Sequence, residues 1–323
     1  MLANSNDADS PEDGAASVPP GWSTNPSARR RRFVLAAFAL VGFVVAGYLA
    51  LYQFGVISTV WEPFFGQGSH KVLDSGLSRS LPVPDAALGA AVYLTDALLT
   101  LIGGENRWRT HPWIVLGNGA VALGLGVTGV ILLIVQPIAY ESYCTLCMLS
   151  AFISINLVGP TMEEALASLQ YLSRQYTYDL GSPETHARQS PSVNQGQTPD
   201  NQRPKDGVSL RFVIGAAIGL WLMASPGVLN YAGSPGAADR VVGPAIFALC
   251  IVAMWPATRW LGGLNLIAGA WLLVSPIVLL APDRALLTNI TCGAMLLALG
   301  TFIRPTTVET GGGWTALMGS ESS

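Results

Sequence analysis

Long apolar runs separated by short polar segments dominate the chain. From Phe33 to Val56 there are 24 consecutive residues without a charge, enough to cross roughly 30 Å of hydrocarbon as a helix. Similar runs recur along the sequence, and together they predict eight membrane-spanning helices, at residues 33–56, 86–104, 113–138, 143–159, 212–229, 241–256, 261–281 and 285–303. The pattern therefore predicts an all-α, polytopic membrane protein.

The polar stretches predict where the domains begin and end. Residues 1–32 form a tail expected to be disordered and to end in the cluster Arg29–Arg32. Between the two halves, Thr161 and Glu164 resemble a capping box that starts a short surface helix, and residues 181–207 are typical of a flexible polar linker. The predicted segments are the tail 1–32, a transmembrane domain 33–159, a cytoplasmic segment 160–208, a second transmembrane domain 209–303 and a tail 304–323.

Composition excludes several classes of protein. Of 323 residues, 50% are hydrophobic and only 11% are charged, whereas soluble domains carry roughly 25% charged residues. The net charge of -3 excludes a broadly basic nucleic-acid binder, so no nucleic-acid partner is expected. Four cysteines are too few for a disulfide-framed mini-protein.

The distribution of positive charge predicts the orientation. If the N-terminus lies inside, 13 of the 17 Lys and Arg residues also lie inside and 4 lie outside, as expected from the positive-inside rule. The basic cluster before an apolar run also fits a signal peptide, but the run is too long, which favours an uncleaved helix. We expect an integral protein of a prokaryotic cytoplasmic membrane, with both termini cytoplasmic.

The second half contains an internal repeat. Gly219-Leu-Trp221-Leu-Met-Ala-Ser225-Pro226 recurs fifty residues later as Gly269-Ala-Trp271-Leu-Leu-Val-Ser275-Pro276, and each copy continues into an Asp-Arg pair and a second apolar run. The repeat predicts two helical hairpins. This half resembles the SPW-repeat membrane modules, a resemblance that implies no known chemistry. Cys250 and Cys292 are interpreted as packing residues there.

One short motif carries chemistry. Cys144 and Cys147 open the fourth predicted span three residues apart, on one helix face and close enough for a disulfide. A helix N-terminus favours thiolate over thiol, so the pair is expected to be redox-active, on the outer face of the membrane. Zinc would need four ligands, and the remaining Cys and His residues are scattered. The other alternative is that the two thiols merely pack.

The first half also resembles a known family. Trp61-Glu-Pro-Phe64-Phe65-Gly-Gln-Gly-Ser69 and Leu81-Pro-Val-Pro-Asp85-Ala-Ala-Leu-Gly89 stand between the first two runs, ahead of the CxxC. Over residues 33–159 this is similar to the vitamin K epoxide reductase family. The resemblance implies a four-helix bundle around a quinone (menaquinone or ubiquinone) that the CxxC reduces, and Asp85 stands where animal members place a quinone-binding asparagine.

The chain also departs from the pattern of that family. Trp61 and Ser69 occupy the positions of the loop cysteine pair that usually relays electrons from a thioredoxin-like partner, and Ala151 replaces a quinone-binding tyrosine. Trp61, Phe64 and Phe65 are candidates either for an aromatic lid over the quinone or for an interfacial aromatic belt. Asp96, inside the second span, is either functional or a hydrogen-bonded structural acid.

These observations predict a membrane thiol oxidoreductase that passes electrons from a dithiol to a quinone. Cys147 is expected to face the quinone, which would lie between Cys147, Asp85 and the aromatic loop. Cys144 is expected to be reachable from water, where an external small dithiol or thioredoxin-like protein would attack it. The rival class is a non-catalytic scaffold or quinone-binding protein that keeps the fold without electron flow.

Overall fold

The computed structural model describes residues 18–76, 82–180, 210–300 and 310–317, and the predicted linker at 181–207 lies outside them. Within these ranges, two 3₁₀ segments cover Pro256–Gly263 and Thr315–Leu317. The α-helices, in chain order, are α1 Arg29–Gln53, α2 Gly68–Leu73, α3 Asp85–Leu101, α4 Arg107–Thr110, α5 Pro112–Ala139, α6 Thr145–Leu180, α7 Leu210–Val228, α8 Gly233–Val252, α9 Leu264–Val278 and α10 Asp283–Gly300.

The helices confirm the predicted class of an all-α, polytopic membrane protein. Six helical segments in the described residues are long and apolar enough to cross a membrane: α1, α5, α6, α7, α8 and the stretch Pro256–Val278 that contains α9. The other two predicted spans are also helices, α3 with 17 residues and α10 with 18. Seventeen residues extend roughly 25 Å, slightly less than the usual hydrocarbon thickness.

Helices α1, α3, α5 and α6 form a four-helix bundle. Small residues let α1 and α3 approach closely, because Gly42 of α1 leaves room for the ring of Tyr93. Tyr93 is 1% exposed, and its hydroxyl donates to the backbone oxygen of Ser150 at 2.6 Å and lies 2.6 Å from the Ser154 hydroxyl on α6. A buried tyrosine that keeps its hydroxyl satisfied therefore ties three helices together.

The prediction that a helix ends at Pro160 is wrong. The predicted fourth span and the predicted surface helix are one continuous helix with Pro160 inside it. Thr161 is not a cap, because its hydroxyl donates to the backbone oxygen of Leu157 one turn earlier. Glu164 is 2% exposed and accepts two hydrogen bonds of 2.6 Å from Arg107. The partnered acid holds the helix against the bundle, which the local sequence pattern could not show.

Both tails make contacts with the continuation of α6. Residues 18–28 lie within the tail predicted to be disordered, yet Trp22 donates its indole N–H to the Gln170 side chain at 2.8 Å. The amide of Gln170 in turn donates to the backbone oxygens of Thr310 at 3.1 Å and Gly313 at 2.9 Å. One buried glutamine thus holds a segment from each end of the chain.

The second half consists of two helical hairpins, α7–α8 and α9–α10. In the first, Gly219 faces Gly243 so closely that a Cβ on Gly219 would lie 2.7 Å from the Gly243 oxygen. In the second, Gly269 and Gly293 meet in the same way. The second glycine pair lies fifty residues after the first, so the sequence repeat is also a repeat of backbone contacts.

The two halves share one hydrophobic core. Leu133, Ala151 and Ile155 of the bundle pack in the same buried cluster as Leu222 and Ile246 of the hairpins. Contacts between α5 or α6 and α8 therefore join the halves directly, although the sequence suggests only a flexible connection between them.

Candidate functional site

Cys144 and Cys147 are joined by a disulfide at the start of α6, with their Cα atoms 5.2 Å apart. Cys144 acts as the N-cap, since its backbone oxygen accepts the first helical hydrogen bond from Met148 at 2.9 Å. Its sulfur accepts from the backbone N–H of Cys147 at 3.2 Å. The backbone N–H of Cys144 donates to the Gln136 side chain at 2.9 Å. One backbone N–H of the helix start thus points at the Cys144 sulfur, where it would stabilise a thiolate after reduction.

The expected exposure of Cys144 to water is wrong. Cys144 is 0% exposed in the disulfide form, whereas Cys147 is partly buried. The loop after α1 folds back over the disulfide and covers Cys144 with apolar side chains from several elements, in a cluster of Leu49, Val60, Leu73, Cys144 and Leu146. An attacking thiol can reach Cys144 only after this cover moves.

Glu62 joins the loop to the start of α6. Its carboxylate accepts a hydrogen bond of 2.9 Å from the backbone N–H of Thr145 and a second from the Thr145 hydroxyl. The same carboxylate accepts from the hydroxyl of Ser69 at 2.5 Å. Ser69 is 0% exposed and is one of the two positions where the sequence resemblance predicts the loop cysteine pair. Glu62, Ser69 and Thr145 therefore form a hydrogen-bonded latch between the loop and the start of α6.

The electrostatics of the latch favour an ionised Glu62. Partial burial by itself would raise the pKa of this carboxyl. The hydrogen bonds from Ser69 and Thr145 outweigh that effect, and the pKa falls from 4.5 to about 2. The latch is consequently charged at neutral pH, with its negative charge at a helix N-terminus, where it is stabilised.

A cavity of about 500 Å³ opens beside the disulfide, between α1, α2, α3, α5 and α6. Cys147 and Asp85 both line it, and Cys144 does not. Most of its wall is apolar, including Leu49, Val92 and Leu132. Its size and character are those of a small-molecule site with few polar groups.

Two polar side chains of this cavity have defined partners. Asp85 begins α3 and accepts hydrogen bonds of 2.5 Å from Gln53 and 2.9 Å from the backbone N–H of Ala86. Gln136 is 1% exposed, and its oxygen holds Cys144. Its amide nitrogen is buried without a hydrogen-bond partner in the part of the chain that the structure describes. Because an unpaired buried donor is costly, this nitrogen is suited to a ligand with an acceptor oxygen.

The aromatic residues of the loop lie away from the cavity wall. Trp61 is 64% exposed and Phe64 is 77% exposed, while Phe65 packs on Tyr143 with ring centroids 5.3 Å apart. The loop contributes Val72 and Leu73 to the cavity wall instead. The structure thus brings Cys147 and Asp85 together but does not bring Trp61, Phe64 or Phe65 to them.

The other candidate residues lie elsewhere. Asp96 is 1% exposed and does not line the cavity, and Thr95 donates to the backbone oxygen of Ala91 rather than to it. Cys250 and Cys292 are buried free cysteines in the second half. Among the described residues, no group of three or more His, Cys, Asp or Glu side chains is arranged to hold a metal.

Glu62 and Gln136 were missed by sequence reasoning for different reasons. Glu62 lies in the loop after α1, but its partner Thr145 is 83 residues away, so no spacing rule connects them. Gln136 is a polar residue in an apolar run, eight residues before Cys144. Polar residues within spans usually face the protein interior, and that signal could have identified it.

Comparison with known proteins agrees with this geometry. The fold and site are those of a polytopic membrane protein with a cysteine pair beside a cavity. Residues 33–161 match the model of the vitamin K epoxide reductase family, and residues 210–303 match that of the SPW repeat domain. The chain is therefore a vitamin K epoxide reductase family domain fused to an SPW repeat domain. No curated protein and no solved structure matches the chain.

Proposed function

We propose that the protein is a membrane thiol oxidoreductase that passes two electrons from a dithiol to a quinone through Cys144 and Cys147. The observation that carries the proposal is the position of Cys147 on the wall of a 500 Å³ cavity. The family match supports a redox role for this pair. The dithiol form would give up two electrons and two protons to the quinone, leaving a quinol and the Cys144–Cys147 disulfide.

The residues of the cavity fit a quinone. A quinone ring has two carbonyl oxygens that accept hydrogen bonds, and the buried amide nitrogen of Gln136 is a donor without a protein partner among the described residues. Asp85 lines the same cavity, whose apolar wall suits the ring and its isoprenoid chain. Menaquinone and ubiquinone both meet these requirements. Trp61, Phe64 and Phe65 do not line this cavity and are given no role in binding the quinone.

Electrons would enter from an external small dithiol or a thioredoxin-like protein. A thiolate of the partner would attack the sulfur of Cys144, form a mixed disulfide and release Cys147 as thiolate. The second thiol of the partner would then resolve the mixed disulfide and leave both cysteines reduced. Because Cys144 is covered, the attack requires the loop latch to open first. The excess of Lys and Arg on the predicted inner side supports an orientation with this end of the bundle on the outer face and both termini in the cytoplasm.

The test is to follow the thiol state of Cys144 and Cys147 in membranes. After reduction with a dithiol, addition of a quinone should return the pair to the disulfide, as measured by alkylation. Cys147→Ser should abolish this oxidation. When the oxidised, disulfide form of a thioredoxin-like partner is added to this variant, the Cys144 thiolate should attack the partner disulfide, release one partner thiol and form a mixed disulfide. The matched control changes Cys250 and Cys292 to Ser and should leave turnover within about twofold. Full quinone turnover in Cys147→Ser would refute the proposal.

A non-catalytic scaffold or quinone-binding protein is the second candidate. The observation that favours it is the apolar cluster that covers Cys144, together with the latch that fixes the loop to α6. A cysteine pair that reacts with neither a dithiol nor a quinone in folded protein would support the scaffold. Quinone binding without oxidation of the pair would support a quinone-binding protein.

A further inference from the structure

A second cavity, of about 510 Å³, lies at the other end of α1 from the disulfide. It is formed by the start of α1, the middle of α6 and the indole of Trp255, which belongs to the second half of the chain. Its walls therefore come from both domains. The redox reaction described above gives this cavity no role.

One end of the cavity is polar and positively charged. Arg30 and Arg31 line it together with Thr24 and Asn25. Arg30 is exposed, while Arg31 forms an ion pair with Glu163. The Nε atom of Arg31 is buried and has no hydrogen-bond partner in the described ranges. The opening of the cavity thus offers two guanidinium groups against one carboxylate.

The other end of the cavity is apolar apart from Asn156. Phe38 lies seven residues after Arg31 on the same helix, which is roughly 10 Å further along its axis. Val34, Leu157 and the ring of Trp255 line the space between them. Trp255 is fixed in place, because its ring packs on Gly159 and lies 5.1 Å from the guanidinium carbon of Arg31. The cavity therefore changes from cationic to apolar over the length of a few methylene groups.

We propose that this cavity binds an anionic phospholipid, with its phosphate at Arg30 and Arg31 and an acyl chain between Phe38 and Trp255. Basic pockets between transmembrane helices bind the head groups of anionic lipids, since the arginines attract the phosphate and any further negative charge. A small soluble anion would leave the apolar wall unused. A zwitterionic lipid would gain less from the excess positive charge. The bound lipid would contact both domains and stabilise their association.

The experiment uses the purified full chain, depleted of lipid in detergent. Addition of phosphatidylglycerol should raise the midpoint of thermal unfolding by several degrees, as expected for a ligand that binds only the folded state. Phosphatidylcholine should raise it much less, and glycerol phosphate, which carries the head-group charge without acyl chains, should have little effect. Native mass spectrometry should show one phosphatidylglycerol retained in preference to phosphatidylcholine.

A matched pair of variants assigns the effect to this cavity. Arg30→Gln removes a charge that lines the cavity, whereas Arg29→Gln removes an exposed neighbouring charge that does not. Arg30→Gln should remove most of the preference for phosphatidylglycerol, and Arg29→Gln should retain it. Equal effects of the two variants would overturn the proposal. So would equal stabilisation by the two lipids, or full stabilisation by glycerol phosphate, which would indicate a simple anion site.

Discussion

Replacing Glu62 with Gln should weaken the latch that holds the loop over Cys144 and make the disulfide easier to reduce. The carboxylate accepts hydrogen bonds from Thr145 and Ser69, and Gln offers a single uncharged oxygen in its place. Hydrogen bonds to a charged group contribute about 1.5–3 kcal/mol each. Glu62 is partly exposed, so solvent screening reduces the loss to the order of 1–2 kcal/mol. The population of open loop should then rise about 5–30-fold.

The assay is the rate at which an impermeant phosphine reduces the Cys144–Cys147 disulfide at pH 7, followed by alkylation of the released thiols. The background carries Ser at positions 250 and 292, so that only the pair is labelled. Glu141→Gln is the matched control, because Glu141 is exposed near the same helix start and has no hydrogen bond among the described residues. Glu62→Gln should accelerate reduction, and Glu141→Gln should not.

The same latch predicts a pH dependence. The pKa of Glu62 is lowered from 4.5 to about 2 in the closed loop. The stabilisation of the closed loop by the Glu62 carboxylate is therefore complete above about pH 5 and is lost as the pH falls towards 2. The reduction rates of the original protein and of Glu62→Gln should therefore converge in acid. If Glu62→Gln and the original protein were reduced at equal rates at pH 7, the latch would not control access to Cys144. The same conclusion would follow if Glu62→Gln and Glu141→Gln accelerated reduction equally.

Three further predictions concern stability and orientation. Glu164→Gln should lower the free energy of unfolding by about 3–5 kcal/mol, because it leaves the buried charge of Arg107 uncompensated. A loss below about 1 kcal/mol, measured by thermal unfolding, would contradict this prediction. Gly219→Ala should lower the free energy of unfolding by about 1–3 kcal/mol, since its Cβ would lie 2.7 Å from a backbone oxygen. Gly227→Ala is the control and should be nearly neutral, because a Cβ there meets open space. Similar losses of stability in the two variants would argue against the contact at Gly219. An engineered cysteine in the linker 181–207 should not react with impermeant thiol reagents on intact cells. Its labelling would show that the predicted orientation is wrong.

The sequence allowed the membrane class and part of the site to be predicted, because both depend on local signals. Apolar runs correspond to helices, and the CxxC and Asp85 each lie at a predicted helix start. That Cys147 and Asp85 line one cavity followed from the family resemblance rather than from spacing. Side chains whose partners are far away in sequence could not be predicted in this way.

The errors share one physical cause, which is long-range contact. Pro160 and Thr161 look like a helix start locally, but the helix continues through them and Glu164 pairs with Arg107 from another part of the bundle. Cys144 looks accessible at a helix end, but a loop more than sixty residues earlier covers it. In each case the deciding partner lies too far along the chain for a local pattern to reveal it.

The core shared by the two halves has a consequence for how the protein is assembled. Leu133, Ala151 and Ile155 have their neighbours in helices that are synthesised later. Inside a bilayer an uncovered apolar face costs little, because lipid chains are as apolar as leucine. The first domain can therefore remain stable in the membrane before the hairpins are inserted. Because the two domains are covalently connected, each molecule contains one copy of each. Two separately encoded halves would have to find each other by diffusion among all other membrane helices.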